Sequence, residues 1–218
     1  MTSTPGSTDG PGKRRGVFVT LEGGEHAGKS TQQEALLHRL RDAGREAVAC
    51  REPGGTALGE RLRAALFATA PDEPPPSPAA ELLLFNAARA QLVDEVIRPA
   101  LGRGAVVVCD RFADSTVAYQ QYGRGLSALH VAMAVDLATD GLTPDLTVLL
   151  DLDPAEAARR VSAHSDYLER EALDFHRRVR RGFLELAARE PARWLVLDAT
   201  KPAMQITHAI WGRLEGLF

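Results

Sequence analysis

Residues 23–30 combine amino acids that suit phosphate binding. They read GGEHAGKS and match the spacing G-x-x-x-x-G-K-[ST]. The glycines let successive backbone N–H groups point toward a phosphate, the Lys29 ammonium can reach the outer phosphates, and the Ser30 hydroxyl can join the ligands of a Mg²⁺ ion. The spacing therefore predicts a nucleoside triphosphate site. Its expected residues are Gly23, Gly24, Glu25, His26, Ala27, Gly28, Lys29, Ser30 and Thr31.

The residues on either side of this motif support the interpretation. An apolar, β-rich run at 16–22 precedes it, and residues 30–43 carry apolar side chains at helical spacing before Gly44. A strand, a loop and a helix thus follow each other, and the helix directs its N-terminal dipole and unpaired N–H groups at a bound phosphate. The alternative is an accidental glycine-rich turn, which this flanking pattern disfavours.

Other short apolar runs predict further strands of the same sheet. Residues 105–109 form a continuous apolar run that ends at Asp110 and Arg111, and residues 146–151 repeat this design. Alternating strands and helices indicate an α/β fold with a parallel sheet covered on both faces, whose ligands bind beyond the carboxyl ends of the strands. Strands are expected at 16–22, 46–51, 105–109, 146–151 and 194–197, and helices at 30–43, 57–68, 79–101, 154–161, 168–186 and 204–217.

Composition limits the class of protein. The chain has 218 residues, of which 44% are hydrophobic and 25% charged, which suits one substantial core. We expect a disordered tail at 1–15 and a single domain at 16–218. The net charge of −3 argues against general nucleic-acid binding. Cys50 and Cys109 have no paired spacing and no apolar run is long enough to span a membrane, so we expect reduced thiols in a cytoplasmic protein.

The end of the strand at 105–109 separates kinases from hydrolases. It ends in Asp110 and Arg111 rather than in Asp-Glu, and the chain has no N-K-x-D motif for reading guanine. Hydrolases place a base for water near this point, whereas an arginine suits a second phosphate that enters as the nucleophile. The sequence therefore favours a kinase with a phosphorylated acceptor.

Further segments resemble one family of such kinases. They are REPGGT at 51–56, Phe85 with Ala88 and Arg89, DRFADSTVAYQ at 110–120, GRG at 123–125 and PDLT at 144–147. With residues 23–30 they resemble thymidylate kinases over roughly residues 16–212. The resemblance implies a three-layer α/β/α P-loop kinase fold with a five-stranded parallel sheet and a short lid at about 159–170.

The resemblance also implies an activity. Thymidylate kinases transfer the γ-phosphoryl group of ATP, with Mg²⁺, to dTMP and form dTDP. The family usually forms homodimers, and the apolar faces of 79–101 and 129–137 could supply that interface. Burial of the same residues in the core of one subunit is the alternative explanation.

Phe85 and Arg89 are the expected base-binding pair. They lie four residues apart on a helix and so share a face, which lets the ring stack on a base while the guanidinium donates to a base carbonyl. Matching residues of the family hold thymine. A core aromatic residue is the alternative for Phe85 alone.

Arg111 and Asp110 are the expected acceptor-side groups. Arg111 would bind the acceptor phosphate, because two phosphates approach each other only when their charge is offset. Asp110 would orient that arginine or, with Ser30, hold the water shell of the Mg²⁺ ion. A surface salt bridge and a strand-end cap are the alternatives.

The resemblance assigns the remaining site residues. Tyr119 resembles the tyrosine that packs under the sugar and disfavours a ribose 2′-hydroxyl, and Glu25 matches an acid directed at the sugar 3′-hydroxyl or the metal shell. Arg160 matches an arginine near adenine or the transferred phosphate, while Arg159 is as well explained by helix solvation. Further acceptor-pocket residues would be Glu52, Arg63, Thr116 and Gln120.

The lid departs from the bacterial pattern Asp-Arg-x-Glu. Here residues 166–169 read DYLE, so Tyr167 stands where an arginine is expected. Animal and yeast enzymes of the family instead place an arginine at the position of His26. We hypothesise that protonated His26 supplies part of the missing charge. The alternatives are that Arg160 or Arg170 does so and that His26 only caps the loop.

Two other possibilities remain open from the sequence. The pair Gln121 and Tyr122 replaces a commoner Gly-x, which would place a side chain near the acceptor pocket and alter the choice of monophosphate. The absent lid arginine also suits a nucleotide-binding regulatory protein of the same fold with lost or altered turnover, or a kinase of another nucleotide.

Overall fold

The computed structural model describes residues 15–67, 74–160 and 167–218. Within them, five parallel strands form one sheet in the order β2-β3-β1-β4-β5. The strands are β1 (Val17–Glu22), β2 (Ala47–Arg51), β3 (Val106–Asp110), β4 (Leu146–Asp151) and β5 (Trp194–Asp198). The predicted five-stranded parallel sheet is confirmed.

Helices connect the strands. They are α1 (Lys29–Asp42), α2 (Ala57–Phe67), α3 (Pro78–Leu92), α4 (Arg98–Gly102), α5 (Ala113–Thr116), α6 (Ala128–Thr139), α7 (Pro154–Ala157), α8 (Leu173–Arg189) and α9 (Ala203–Leu214). Two π-turns (Val93–Ile97 and Val117–Gly123) and two 3₁₀ turns (Ala158–Arg160 and Glu215–Leu217) complete the described elements. In these parts of the chain, we find no helix with the length and apolar character needed to cross a bilayer.

The two faces of the sheet build two separate cores. Val19 of β1 packs in a cluster with Leu36 of α1 and Ile210 of α9. Its neighbour Phe18 belongs to the cluster on the opposite face, which includes Ile97. Because successive strand residues point to opposite faces, an uninterrupted apolar run supplies side chains to both clusters. The α/β/α layering predicted from the sequence follows from this arrangement.

The connections diverge at the carboxyl edge of β1. The chain runs from β1 to the outer strand β2, returns to β3 beside β1, and then continues to β4 on the other side of β1. Crevices form where strand order changes direction in this way, and ligands of α/β proteins bind there. The loop after β1 and the residues after β3 are thereby brought together.

The predicted helix at 79–101 needs correction. It is helical throughout but switches to a π-turn at Val93–Ile97 before α4 begins. Pro99 explains the change, because it has no N–H to donate to the carbonyl four residues earlier and its ring would clash there. The second π-turn, Val117–Gly123, lies inside the motif at 110–120 and was not predicted from the sequence.

Other boundaries also differ from the prediction. The helix expected at 168–186 begins only at Leu173, because 167–170 form turns that bury Tyr167 and Leu168. Most of the tail at 1–15, the end of the helix at 57–68 and residues 161–166 of the lid lie outside the described residues. Cys50 and Cys109 are free and buried, as predicted.

Tyr122, the second residue of the pair that replaces Gly-x, packs against α8. Its hydroxyl donates to Glu185 Oε2 at 2.7 Å, and its ring packs over Gly182 of α8. A Cβ atom at Gly182 would lie 2.8 Å from two atoms of that ring. The aromatic side chain thus joins the π-turn to α8 and leaves no space for a larger residue at Gly182.

We expect Gly182→Ala to lower the free energy of unfolding, although alanine favours a helix. Overpacking destabilises by about 1–3 kcal/mol, whereas the higher helix propensity of alanine relative to glycine stabilises by about 1 kcal/mol. Gly212 of α9 is the matched control, because a Cβ atom there meets nothing within 4 Å. Urea denaturation should show that Gly212→Ala stabilises the protein. Equal stabilisation by both substitutions would contradict the packing of Tyr122 on Gly182.

Candidate active site

A cavity of about 560 Å³ opens at the carboxyl edge of the sheet. Every site residue predicted from the sequence lines it except Gly23 and Gly24, which contribute carbonyl groups instead. Residues that sequence reasoning missed also line the cavity, and these are Arg51, Pro53, Phe67, Ser115, Leu168 and Glu169. The structure therefore brings the predicted phosphate-binding and acceptor-binding residues into one space.

The phosphate loop, residues 23–30, requires unusual backbone conformations. Gly23 has φ 138° and Gly28 has φ 93°, and a Cβ atom at Gly23 would lie 2.5 Å from the carbonyl oxygen of Leu150. Only glycine fits this close approach. The Lys29 ammonium donates to the Gly24 carbonyl at 2.8 Å. Burial lowers the pKa of Lys29, and the nearby charge of Arg111 adds to the effect.

Ser30, at the start of α1, and Asp110, at the end of β3, face each other. The Ser30 hydroxyl donates to Asp110 Oδ2 at 3.2 Å. Among the described residues, no cluster of three or more His, Cys, Asp or Glu side chains could hold a metal ion by itself. One hydroxyl and one carboxylate suit Mg²⁺, which keeps several waters and takes further oxygens from substrate phosphates. These two side chains therefore fit the metal that was expected.

Arg111 pairs with Glu25 rather than with Asp110. Its guanidinium donates to Glu25 Oε1 at 2.6 Å, to the Gly23 carbonyl at 2.9 Å and to Ser115 Oγ at 3.3 Å. Of the two roles expected for Asp110, the contact with Ser30 favours a place in the metal shell over orientation of Arg111. Glu25 accepts from Arg111, whereas the resemblance implied a contact with the sugar or the metal shell.

Tyr119 completes this cluster. Its hydroxyl donates to Glu25 Oε1 at 2.6 Å, and its ring lies 5.1 Å from the Arg111 guanidinium carbon. Burial alone would raise the pKa of Glu25, but the charges of Arg111 and Lys29 hold it at about 2. Burial opposes the charge of Arg111, yet Glu25 raises the pKa of Arg111 above its usual range. Both groups are therefore ionised at neutral pH.

Glu22 is a buried acid that sequence reasoning did not identify. Its Oε1 accepts from the Phe112 N–H at 2.8 Å, and its Oε2 lies 2.5 Å from Ser115 Oγ. Burial raises the pKa of Glu22 to about 8, and the charge of Asp114 adds to the rise. The available signal was a carboxyl residue at the end of an otherwise apolar strand.

The part of the cavity predicted to bind the base contains Phe85 at its wall and a fully buried Arg89. All five N–H donors of Arg89 are used within the protein. Their acceptors are Glu52 Oε1 and Oε2, Asn86 Oδ1, Thr116 Oγ1 and the Phe112 carbonyl. Glu52 therefore holds Arg89 by an ion pair of 2.6 Å, where a substrate contact was expected. A base carbonyl would have to share one of these donors.

Gln120 is held by a second acid that the sequence did not reveal. The buried Glu81 carboxylate accepts from Gln120 Nε2 at 2.8 Å, from Arg124 and from the Tyr167 hydroxyl at 2.9 Å. The Tyr167 ring packs against Phe67, at a centroid distance of 5.8 Å. Tyr167, which replaces the expected lid arginine, is thus buried in a core cluster and is not among the residues that line the cavity. Arg63 donates to the Pro53 carbonyl at 3.0 Å, on the same side of the cavity.

The donor end of the cavity contains Arg160 and His26. Arg160 Nη1 lies 3.5 Å from the His26 carbonyl and 3.4 Å from the Ala199 carbonyl, so it spans the phosphate loop and the loop after β5. His26 Nε2 lies 3.8 Å from Glu169 Oε1 of the lid. Arg159 pairs instead with Glu156 on the surface. Arg160 lines the cavity and Arg170 does not, so Arg160 is the better placed of the two arginines.

Comparison with known proteins agrees with this geometry. The model of the family described as thymidylate kinase matches residues 21–210. A thymidylate kinase of Deinococcus radiodurans is 53% identical over 203 residues, which cover 92% of this chain and 97% of that protein. One of Cutibacterium acnes is 50% identical over 202 residues, covering 93% and 98% of the two chains.

A solved structure gives the same result for the fold. The crystal structure of thymidylate kinase from Ehrlichia chaffeensis superposes with a TM-score of 0.72 at 32% identity. The match covers 92% of this chain and 98% of that one. The resemblance inferred from the motifs at 23–30 and 110–120 is confirmed. The chain belongs to the thymidylate kinase family.

Proposed function

We propose that the protein transfers the γ-phosphoryl group of ATP to dTMP and forms ADP and dTDP. The observation that carries the proposal is the position of Arg111, which contacts both the phosphate loop through Gly23 and the acceptor pocket through Tyr119. The names of the curated relatives support the same activity. The match of Phe85 and Arg89 to the residues that hold thymine in the family supports thymine as the base.

Arg111 is the arginine best able to bind the acceptor phosphate. In the described part of the chain its three hydrogen bonds use three of the five N–H groups that an arginine carries, so two N–H donors remain. Arg89, in contrast, uses all five within the protein. Charge-assisted bonds from Arg111 would offset the repulsion between acceptor and donor phosphates and bring them into line.

The phosphate loop would hold the donor. Backbone N–H groups at the start of α1 and the Lys29 ammonium would bind the outer phosphates of ATP. Ser30 and Asp110, the latter through water, would hold Mg²⁺, which supplies neutralisation of the phosphate charge. The remaining contribution of the protein is positioning and electrostatic stabilisation, without a covalent intermediate.

We assign the role of the missing lid arginine to Arg160. Its guanidinium reaches the loop carbonyl of His26, beside the expected outer phosphates. His26 instead faces the carboxylate of Glu169, which would compensate the charge of a protonated imidazole. The proposed cation for the transferred phosphoryl group is therefore Arg160.

A homodimer is the proposed assembly. Leu129, Met133 and Leu137 are 64%, 63% and 85% exposed and lie at spacing i, i+4, i+8 on one face of α6. Leu83 of α3, which packs beside α6, is 64% exposed. A continuous apolar stripe of this kind suits a self-complementary contact between two copies. With both cysteines free, we propose a cytoplasmic enzyme that acts on small molecules and not on nucleic acid.

The activity is tested by ADP release from Mg-ATP with dTMP, dUMP, UMP, CMP, AMP or thymidine as acceptor. We expect the highest kcat/KM with dTMP, about tenfold less with dUMP, which lacks one methyl group, and none with thymidine, which offers no phosphate. Failure with every monophosphate in folded protein would overturn the proposal. A strong preference for another monophosphate would overturn the assignment of the base.

The assignment of Arg160 is tested by three substitutions. We expect Arg160→Ala to lower kcat on the order of 100-fold, because it removes a cation from the developing charge. Arg159→Ala is the matched control on the next residue, and its turnover should not change. His26→Gly should leave turnover and its pH dependence unchanged. The reverse result, with His26→Gly impaired and Arg160→Ala active, would contradict the assignment.

The dimer is tested by light scattering on charge-introducing variants. We expect Leu137→Glu to yield a monomer, because a charge in an apolar contact is desolvated without a partner. Met204 of α9 is 84% exposed and lies on another surface, so Met204→Glu should remain dimeric. A monomeric parent protein, or dimers of both variants, would refute the interface.

A further inference from the structure

We propose that Glu22 is a positioning residue for phosphoryl transfer, which fixes the turn at 111–115 so that the Arg111 guanidinium points into the cavity. The inference rests on the role of Arg111 in the proposed function. Glu22 is not among the residues that line the cavity, so it acts through Arg111 and not on a substrate.

The carboxyl group of Glu22 holds both ends of this turn. It is the last residue of β1 and is fully buried. One oxygen accepts from the N–H of Phe112, the residue after Arg111, at 2.8 Å. The other lies 2.5 Å from the hydroxyl oxygen of Ser115. A single side chain therefore connects the end of β1 to the start and the end of the segment that carries Arg111.

The turn needs such support because its backbone is strained. Arg111 has φ 68°, in the left-handed region that residues with a side chain rarely occupy. The following helix α5 has four residues, and Phe112 at its N-cap provides no side-chain hydrogen bond. Glu22 accepts the hydrogen bond from the buried Phe112 N–H. This bond stabilises the left-handed conformation at Arg111, because a buried N–H without an acceptor is costly.

The same strand end also fixes the guanidinium. Arg111 Nη1 donates to the Gly23 carbonyl at 2.9 Å and to Ser115 Oγ at 3.3 Å. Gly23 follows Glu22 in the chain, and Ser115 is the residue that Glu22 contacts. The end of β1 thus holds both the backbone and the side chain of Arg111. Glu25 is the third partner of the guanidinium, after Gly23 and Ser115.

The charges around Glu22 indicate how the carboxyl group does this. It faces the acid Asp114 of α5 and the cations Arg111 and Lys29. Burial and Asp114 raise the pKa of Glu22, whereas the hydrogen bonds donated by Ser115 Oγ and the Phe112 N–H lower it. In Glu22→Gln the amide oxygen can still accept from Phe112, and the Ser115 hydroxyl, which can donate or accept, can accept from the NH₂ group.

The test is a double-mutant cycle on kcat/KM for dTMP with Glu22→Ala, Arg111→Ala and the double variant. We expect Glu22→Ala to lower kcat/KM on the order of 100-fold, because small displacements of a positioning group have effects of that size. In the Arg111→Ala background, Glu22→Ala should cause no further loss. Glu22→Gln should lose far less than Glu22→Ala.

Two further variants keep the test decisive. Thr20→Val removes a buried hydrogen bond to Thr147 on the same side of β1, and its kcat/KM should not change. If Glu22→Ala does not fold, Glu22→Asp replaces it, because the shorter side chain withdraws from both donors. The inference would be overturned if Glu22→Ala lowered kcat/KM as much in the Arg111→Ala background as in the parent protein. Normal kcat/KM in Glu22→Ala and in Glu22→Asp would also overturn it. An inactive parent protein would instead overturn the proposed function.

Discussion

Arg111 and Glu25 meet at 2.6 Å in a region where burial penalises both charges, and the rest of the site is arranged around this pair. Each charge compensates the other, and Tyr119 adds a hydrogen bond to the shared carboxylate oxygen. Loss of either partner is destabilising because burial penalises the charge that remains, although Lys29 also compensates Glu25. The pair joins the phosphate loop to the π-turn at Val117–Gly123, and so couples the two halves of the cavity.

Two arginines line the same cavity but differ in how many of their N–H donors are used within the protein. All five N–H donors of Arg89 are used by Glu52 and the other acceptors, so Arg89 forms a fixed wall of the proposed base pocket. Among the described residues, Arg111 uses three of its five N–H donors, and its strained backbone is followed by Phe112, whose N–H Glu22 of β1 accepts. An arginine that is held firmly but not saturated is preorganised for an incoming phosphate, which avoids reorganisation during the reaction.

Much of this architecture was predictable from the sequence, for a physical reason. Strands of a parallel sheet are buried on both faces, so runs such as Val106–Asp110 are continuously apolar and end abruptly in polar residues. The spacing of the phosphate loop is local, and so it is visible without any knowledge of the fold. The family resemblance then placed Arg111, Tyr119 and Phe85 in one site.

What escaped prediction depends on contacts between distant parts of the chain. Glu22 ends an apolar strand and Glu81 lies in a helix, and neither forms a recognisable motif. Glu22 binds Phe112, 90 residues away, and Glu81 binds Tyr167, 86 residues away. Tyr167 could be recognised as a departure from the lid pattern, but not as a donor to Glu81. The π-turn at Val117–Gly123 also packs against a distant element, through the contact of Tyr122 with α8.

If Arg111 binds the acceptor phosphate, calorimetric affinities for dTMP and thymidine, which differ by that phosphate alone, should separate. We expect the parent protein to bind dTMP about 10- to 100-fold more tightly than thymidine, the value of a charge-assisted contact. In Arg111→Met this difference should largely disappear while thymidine affinity stays unchanged. An undiminished preference for dTMP in Arg111→Met would show that Arg111 does not bind the phosphate.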